Sequence, residues 1–282
     1  MIATRFAPSP TGRLHLGHAY SAVLGHGAAQ ASAGKFLLRI EDLDQTRARP
    51  EFVDGIIEDL KWLGLDWDEP VLVQSQRTAA YETALAELRE RGLAYACFCT
   101  RADIAQSVTA PHGDAATSYP GTCRDLPDDA SRRASTPHSW RLNAPRALEL
   151  AGLPSWREYD GQHFQASPEE IGDAVLARKD APAAYHLACV VDDAASGVTL
   201  VTRGADLRPS TPTQRLLQIL LGLPEPTYLH HRLVAHEDGR RLAKRDLAPT
   251  LAAMREAGVD PGQLVEQLST GHVPSGFRLQ DA

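Results

Sequence analysis

The chain has 282 residues, 43% of them hydrophobic and 23% charged, the balance of a globular protein long enough to bury a sizeable core. It holds no apolar run of membrane-spanning length and no export-signal pattern, which predicts a cytoplasmic protein without membrane contact. Four cysteines do not make a disulfide scaffold, and a net charge of −7 lends no support to nucleic-acid binding, so any such binding must rest on a local basic patch.

Met1-Ile2-Ala3 predicts a short buried strand, and the segment Arg5 to Gly12, rich in Pro, Ser and Gly, predicts a turn. The apolar-periodic stretch Ala19 to Ala33, ended by Gly34, predicts a helix, with His15 and His18 in its first turn. A helix N-terminus presents unpaired N–H groups and partial positive charge, so it suits phosphate. His15 and His18 lie three residues apart on one face and are candidates to donate to phosphate oxygens, while Gly17 leaves room for a base or ribose. Lys35 to Ile40 predicts a strand whose carboxyl end carries Glu41, where ligands of parallel sheets bind. Pro50 to Leu63 and Arg77 to Arg91 predict two further helices.

Composition then changes. Cys97 and Cys99 are followed, after 19 intervening residues, by Tyr119 and then by Cys123. Three cysteines within 27 residues, around a polar loop in a reducing compartment, predict a zinc site. Chemistry alone selects His112 as the fourth ligand, because imidazole is far commoner on zinc than phenolate. Cys189 lies in an apolar stretch and predicts a small buried hydrophobe. Ala184 to Asp193 predicts a helix or strand ending in paired acids, Gly197 to Leu207 a strand carrying Arg203, and Ser210 to Leu220 an amphipathic helix. Gly239 to Arg245 is a basic turn containing Arg240, Arg241, Lys244 and Arg245, and the remaining 37 residues predict one or two short helices and a polar tail.

The opening Arg5-Phe6-Ala7-Pro8-Ser9-Pro10-Thr11-Gly12, with His15-Leu16-Gly17-His18, resembles the start of the class I glutamyl-tRNA synthetases. The resemblance continues to the basic turn, where Arg240 to Arg245 aligns with the family's "KMSKS" loop, with Arg241 and Ala243 as departures and Lys244 retained. It implies an α/β fold: a Rossmann-like class I catalytic domain with an inserted zinc-binding subdomain and a short helical C-terminal extension. The expected divisions are residues 1–95 and 171–245 for the two catalytic halves, 96–170 for the insert and 246–282 for the extension. The resemblance further implies glutamate binding by Arg5, Ser9, Glu41, Tyr185 and Arg203, with Glu41 suiting the ammonium. ATP, with Mg²⁺, falls to His15, Gly17, His18 and Lys244, of which His15, His18 and Lys244 are the implied catalytic groups.

Within this family the pattern Cys-x-Cys, Tyr, then Cys resembles that of the glutamyl-Q tRNA(Asp) synthetases, shortened relatives of the glutamyl enzymes. That resemblance implies zinc on Cys97, Cys99, Tyr119 and Cys123. It implies formation of glutamyl-AMP from L-glutamate and ATP without tRNA, then transfer to the queuosine base in the anticodon loop of tRNA(Asp). A minimal glutamyl-tRNA synthetase charging the tRNA 3′ end, a nucleotidyltransferase of the same superfamily and a non-catalytic tRNA-binding paralogue are the competing expectations. No obligate protein partner is expected.

Overall fold

The computed structural model describes residues 1–100, 102–104, 119–240, 242 and 249–281. Strand β1 (Ala3–Phe6) pairs in parallel with β2 (Lys35–Ile40), and β2 with β3 (Asp68–Val73). The first strand lies further along the chain than the apolar Met1-Ile2-Ala3 predicted. The reason is that Thr4 and Arg5 are buried polar residues with internal partners: Thr4 Oγ1 donates to the Gly25 carbonyl at 2.9 Å.

Helix α1 (Leu16–Ala31) follows β1 with His15 as its N-cap and His18 in its first turn, and it ends two residues before the predicted Ala33. Gly34 then returns the chain to β2. A Cβ there would sit 1.8 Å from the Ile2 carbonyl oxygen, so this crossing accepts only glycine. Helix α2 (Pro50–Trp62) has Pro at its start, and α3 (Thr78–Glu90) ends before Gly92, which has φ +66°.

A largely antiparallel segment comes next. It comprises β4 (Ala94–Cys97), α4 (Ala130–Ser135), β5 (Ser139–Leu142), α5 (Ala144–Ala151), β6 (Ser155–Arg157), β7 (His163–Gln165) and β8 (Val175–Ala177). Strands β4, β5 and β8 form one antiparallel sheet, and β6 pairs with β7.

The chain then returns to βα order. The stretch predicted as helix or strand is α6 (Tyr185–Ala195), followed by β9 (Leu200–Gly204), α7 (Thr211–Leu220) and β10 (Thr227–His231). β9 and β10 are parallel. β9 runs beside β1: the Ala3 amide donates to Thr199 Oγ1 and the Thr199 amide to the Ala3 carbonyl, each at 2.9 Å. From this β1/β9 seam one half of the fold winds outward through β2 and the other through β10. Such a reversal leaves a crevice beyond the carboxyl ends of the strands.

Strand β11 (Leu233–His236), helices α8 (Leu251–Glu256) and α9 (Pro261–Ser269) and strand β12 (Phe277–Gln280) complete the chain. The residues expected to be a polar tail pair with β11 as an antiparallel strand, because Phe277 and Leu279 alternate with polar neighbours. Leu251, Leu264 and Leu268 are buried with Leu16, Tyr20 and Leu38, so the C-terminal helices belong to the core of the first half. A second core joins α3, the antiparallel segment, α6 and α7 through Tyr81, Leu142, Leu187, Leu216 and Tyr228.

Candidate active site

His15 adopts extended backbone (φ −130°, ψ 177°) and caps α1 with its imidazole: Nδ1 accepts from the Gly17 amide at 3.1 Å. His18 Nδ1 in turn accepts from the His15 amide at 3.1 Å. This is a capping box in which two imidazoles replace the usual hydroxyl and carboxylate. A ring nitrogen that accepts carries no proton, so each neutral ring holds its proton on Nε2. The rings lie 3.8 Å apart, centre to centre. A Cβ at Gly17 would come 3.1 Å from His15 Cε1 and would press on the capping ring. The turn before the helix is pinned by the Glu41 amide donating to the Pro8 carbonyl at 3.1 Å, which sets Ser9 beside the end of β2.

Below this turn lies a buried ionic network. Arg5 Nε meets Asp193 Oδ1 at 3.0 Å, and Arg5 Nη1 donates to the Thr202 carbonyl at 3.0 Å. Arg39, on β2, donates to the same Asp193 oxygen and reaches Glu41 Oε1 at 3.1 Å. Burial opposes the charge on Asp193, but the two guanidiniums overcome it and hold the carboxyl at about 2. Burial likewise opposes the charge of Arg5 and is outweighed by Asp193, leaving its pKa raised. Glu41 goes the other way: burial raises its pKa despite Arg39 and Arg5. The paired acids of α6 thus have separate partners. Asp192 accepts from Gln74 Nε2 at 2.9 Å, Arg77 Nε at 2.9 Å and the Tyr81 hydroxyl at 2.7 Å.

Arg203, which sequence alone allows as a surface cation, is 3% exposed. Its Nη1 donates to Tyr185 Oη at 3.3 Å and Gln214 Oε1 at 2.7 Å, its Nη2 to Thr211 Oγ1 at 2.8 Å, and its Nε to His230 Nε2 at 3.1 Å. The Tyr185 oxygen therefore accepts from Arg203 and keeps its own hydrogen to donate elsewhere. Burial raises the Tyr185 phenol to about 12, so it stays protonated at neutral pH.

These groups converge on one cleft of about 560 Å³, at the carboxyl ends of β1 and β9. Arg5, Ser9, His15, Gly17 and His18 line it from one half; Glu41, Tyr185 and Arg203 line it from the ends of β2, α6 and β9. Leu242 also lines it. Arg241, Ala243, Lys244 and Arg245 of the basic turn lie outside the described residues.

Sequence reading missed Arg39, Thr211, Gln214, Glu158 and His230. One signal was available: Thr211, Gln214 and Gln218 recur at helical spacing on a helix whose other residues are largely apolar, and all three are buried. That is a polar stripe turned inward, and a buried polar stripe demands internal partners.

The cysteine cluster stands apart from the cleft. Sγ of Cys97, Cys99 and Cys123 all lie within 4.8 Å of one another. Tyr119 Oη lies 3.3 Å from Cys97 Sγ and 3.5 Å from Cys99 Sγ, and accepts from the Cys123 amide at 2.9 Å. Burial pushes the Cys123 thiol up, but its hydrogen bonds, that with Tyr119 foremost, bring it below the ordinary thiol value. Three sulfurs this close could hold a metal ion such as zinc, and the Tyr119 hydroxyl lies beside them. His112 lies outside the described residues. Cys189 is buried as expected, yet it has polar company: Arg39 Nη2 lies 3.4 Å from its sulfur.

Residues 1–274 match the family described as tRNA synthetases class I (E and Q), catalytic domain. A glutamyl-Q tRNA(Asp) synthetase of Rhodobacter capsulatus is 46% identical over 272 residues, covering 93% of this chain and 98% of its own. Another, from Nocardia farcinica, is 51% identical over 269 residues, covering 95% of this chain and 83% of its own. Among solved structures, the glutamate-tRNA synthetase of Elizabethkingia anophelis superposes with a TM-score of 0.80 at 26% identity over 95% of this chain. This chain spans 61% of that longer protein. The chain belongs to the class I tRNA synthetases of the E and Q type, a family of ligases, and within it to the group of the glutamyl-Q tRNA(Asp) synthetases.

Proposed function

We propose that this protein activates L-glutamate with ATP, without tRNA, and passes the glutamyl group to the queuosine base in the anticodon loop of tRNA(Asp). The observation that carries the reading is the single cleft: a helix N-terminus with two Nε2-protonated imidazoles faces a wall of buried arginines and Tyr185. Phosphate suits the first side and carboxylate the second.

In the first step a carboxylate oxygen of glutamate attacks the α-phosphorus of ATP. The P–O bond to pyrophosphate breaks, and a mixed anhydride with AMP forms. The protein contributes positioning and charge stabilisation. His15 and His18 donate from Nε2 to oxygens at the reacting phosphorus, and Gly17 admits the nucleotide to the backbone. Lys244 neutralises the departing pyrophosphate. Mg²⁺ accompanies ATP. On the other side, Arg203 and the Tyr185 hydroxyl donate to a substrate carboxylate, Arg5 and Ser9 complete the amino-acid pocket, and Glu41 takes the ammonium. In the second step the acceptor attacks the acyl carbon and AMP leaves.

Zinc held by Cys97, Cys99, Tyr119 and Cys123 is structural in this reading: it staples a segment with little apolar content of its own. We assign residues 96–170 to this inserted subdomain, 1–95 and 171–245 to the catalytic halves, and 246–282 to the extension. Four cysteines without disulfides support a cytoplasmic setting; no described helix is long and apolar enough to cross a membrane. RNA docking on so acidic a chain relies on a local basic strip, including Arg240, Arg241 and Arg245, and single-stranded loops are the RNA elements whose bases can be splayed into a pocket.

Two assays test the reading. Glutamate-dependent ATP–pyrophosphate exchange should proceed without tRNA; exchange only on adding tRNA contradicts tRNA-independent activation. Labelled glutamate should then pass to tRNA(Asp) that contains queuosine and not to tRNA(Asp) that lacks it. Equal labelling, or label on the 3′-terminal ribose, would restore the minimal tRNA-charging enzyme.

A further inference from the structure

Of the four hydrogen bonds of Arg203, the one to Tyr185 ends on a residue that lines the cleft, and the one to His230 leads on toward the antiparallel segment. Because His230 Nε2 accepts from Arg203 Nε, the imidazole proton sits on Nδ1, 2.7 Å from Glu158 Oε1. Thr211, which accepts from Arg203 Nη2, lies 3.3 Å from the same His230 Nε2. Glu158 is itself anchored: Trp156 Nε1 donates to it at 3.1 Å, the His230 amide at 3.3 Å, and Arg208 lies 3.5 Å away. The side chains of His230 and Glu158 are 1% and 7% exposed. Burial lowers the His230 pKa, and Arg203 and Arg208 reinforce it against the opposing pull of Glu158, which favours the neutral bridging ring.

The three residues come from three places. Arg203 and His230 are register partners on adjacent parallel strands, so their side chains stand together on one face. Glu158 follows β6 in the antiparallel segment, where it bridges to Tyr228 of β10, and the Tyr159 amide donates to the Tyr228 carbonyl at 2.7 Å. A carboxylate of the antiparallel segment thus reaches a guanidinium of the catalytic cleft through one neutral imidazole.

We propose that His230 and Glu158 are positioning residues for amino-acid recognition, fixing the plane of Arg203 so that its remaining N–H and the Tyr185 hydroxyl together face the side-chain carboxylate of a dicarboxylic amino acid. This rests on the reading of Arg203 and Tyr185 as glutamate-binding groups. The bonds from Nη1 and Nη2 to Gln214 and Thr211 hold only the far edge of the guanidinium. The bond at Nε fixes the near edge, and with it the direction of the whole fork. Neither His230 nor Glu158 touches the substrate in this arrangement.

The test is steady-state glutamate-dependent ATP–pyrophosphate exchange on the full chain, with KM measured separately for glutamate and for ATP. His230→Asn keeps an amide donor near the position of Nδ1 for Glu158 but removes the acceptor from Arg203. It should raise the KM for glutamate roughly tenfold or more, the loss of about one charge-assisted hydrogen bond, with the KM for ATP and kcat little changed. Glu158→Ala should do the same, and Glu158→Gln, which retains an acceptor for Nδ1–H, should recover most of the wild-type KM. Thermal melts of His230→Asn and of the near-isosteric Glu158→Gln separate a positioning effect from failure to fold. An unchanged KM for glutamate in His230→Asn, or a parallel rise for both substrates, overturns the positioning role while glutamate activation stands. Absence of glutamate-dependent exchange in the wild-type protein overturns both.

Discussion

Replacing Asp193 with Asn removes the one carboxylate that two buried guanidiniums share. Asn keeps the shape of Asp, so the perturbation is almost purely one of charge. Arg5 is 6% exposed and Arg39 2%, so neither can recover its hydration. Arg39 still has Glu41 at 3.1 Å. Arg5 keeps neutral acceptors, the amide oxygen of the new Asn, the Thr202 carbonyl at 3.0 Å and the weaker Cys189 sulfur at 3.9 Å, but loses the carboxylate that balanced its charge. Breaking a buried ion pair by removing one partner costs about 3–5 kcal/mol, and the surviving Arg39–Glu41 pair places this case near the lower end. At roughly 2–4 °C per kcal/mol for a chain of this size, the melting temperature should fall by about 6–12 °C. The loss should also depend on pH. The folded carboxyl sits at about 2, below the roughly 3.9 of an unfolded aspartate. A depressed carboxylate contributes its stability above the unfolded value and loses it as pH falls through the folded value. The gap between wild type and Asp193→Asn should therefore be full at pH 7 and shrink as pH falls from about 4 toward about 2. Circular-dichroism melts across that range measure it. A variant melting within about 2 °C of wild type at pH 7, where roughly 6 °C is the least expected, would refute the reasoning.

His18→Ala and Lys244→Ala should each slow glutamate-dependent exchange by roughly 10²–10³, the cost of removing a transition-state donor, with the fold retained and only a small loss of melting temperature in His18→Ala from the missing bond to the His15 amide; near-wild-type exchange in both would show the site misassigned. Aspartate should be a poor substrate, by more than the roughly 10²-fold a missing methylene gives, because its carboxylate falls short of Arg203 and Tyr185 and leaves buried donors unpaired; comparable exchange rates with the two amino acids would defeat this. Purified protein should carry about one zinc per chain by elemental analysis, for a four-ligand structural site. Cys123→Ser should lose it and His112→Ala keep it; zinc lost from His112→Ala but kept in Tyr119→Phe would make the imidazole the fourth ligand.

Much of the fold could be read from local pattern. The strand–turn–helix opening, the helix closed by Gly34 and the strand Lys35 to Ile40 follow from apolar periodicity and from Pro and Gly punctuation, which act over a few residues. The convergence of Cys97, Cys99 and Cys123 was legible for the same reason, since close spacing already limits how far the thiols can part. Boundaries shifted where buried polar residues broke the apolar pattern, as at Thr4 and Arg5.

The sequence by itself determined which residue types stand at the end of each strand and at the start of α1, because caps, turns and strand termini are set by neighbours in the chain. Tertiary structure alone decided who pairs with whom. Arg5 and Asp193 are 188 positions apart, and Glu158 and His230 are 72 apart. A buried charge must find a partner, but its type does not say which one. Arg203 looks the same in sequence whether it is a solvated cation or a buried fork held by four neighbours. Only the parallel register of β9 with β10, and the antiparallel segment laid against Tyr228, bring His230 and Glu158 to it. The cost of leaving a guanidinium unpaired away from water then makes that one arrangement the stable one.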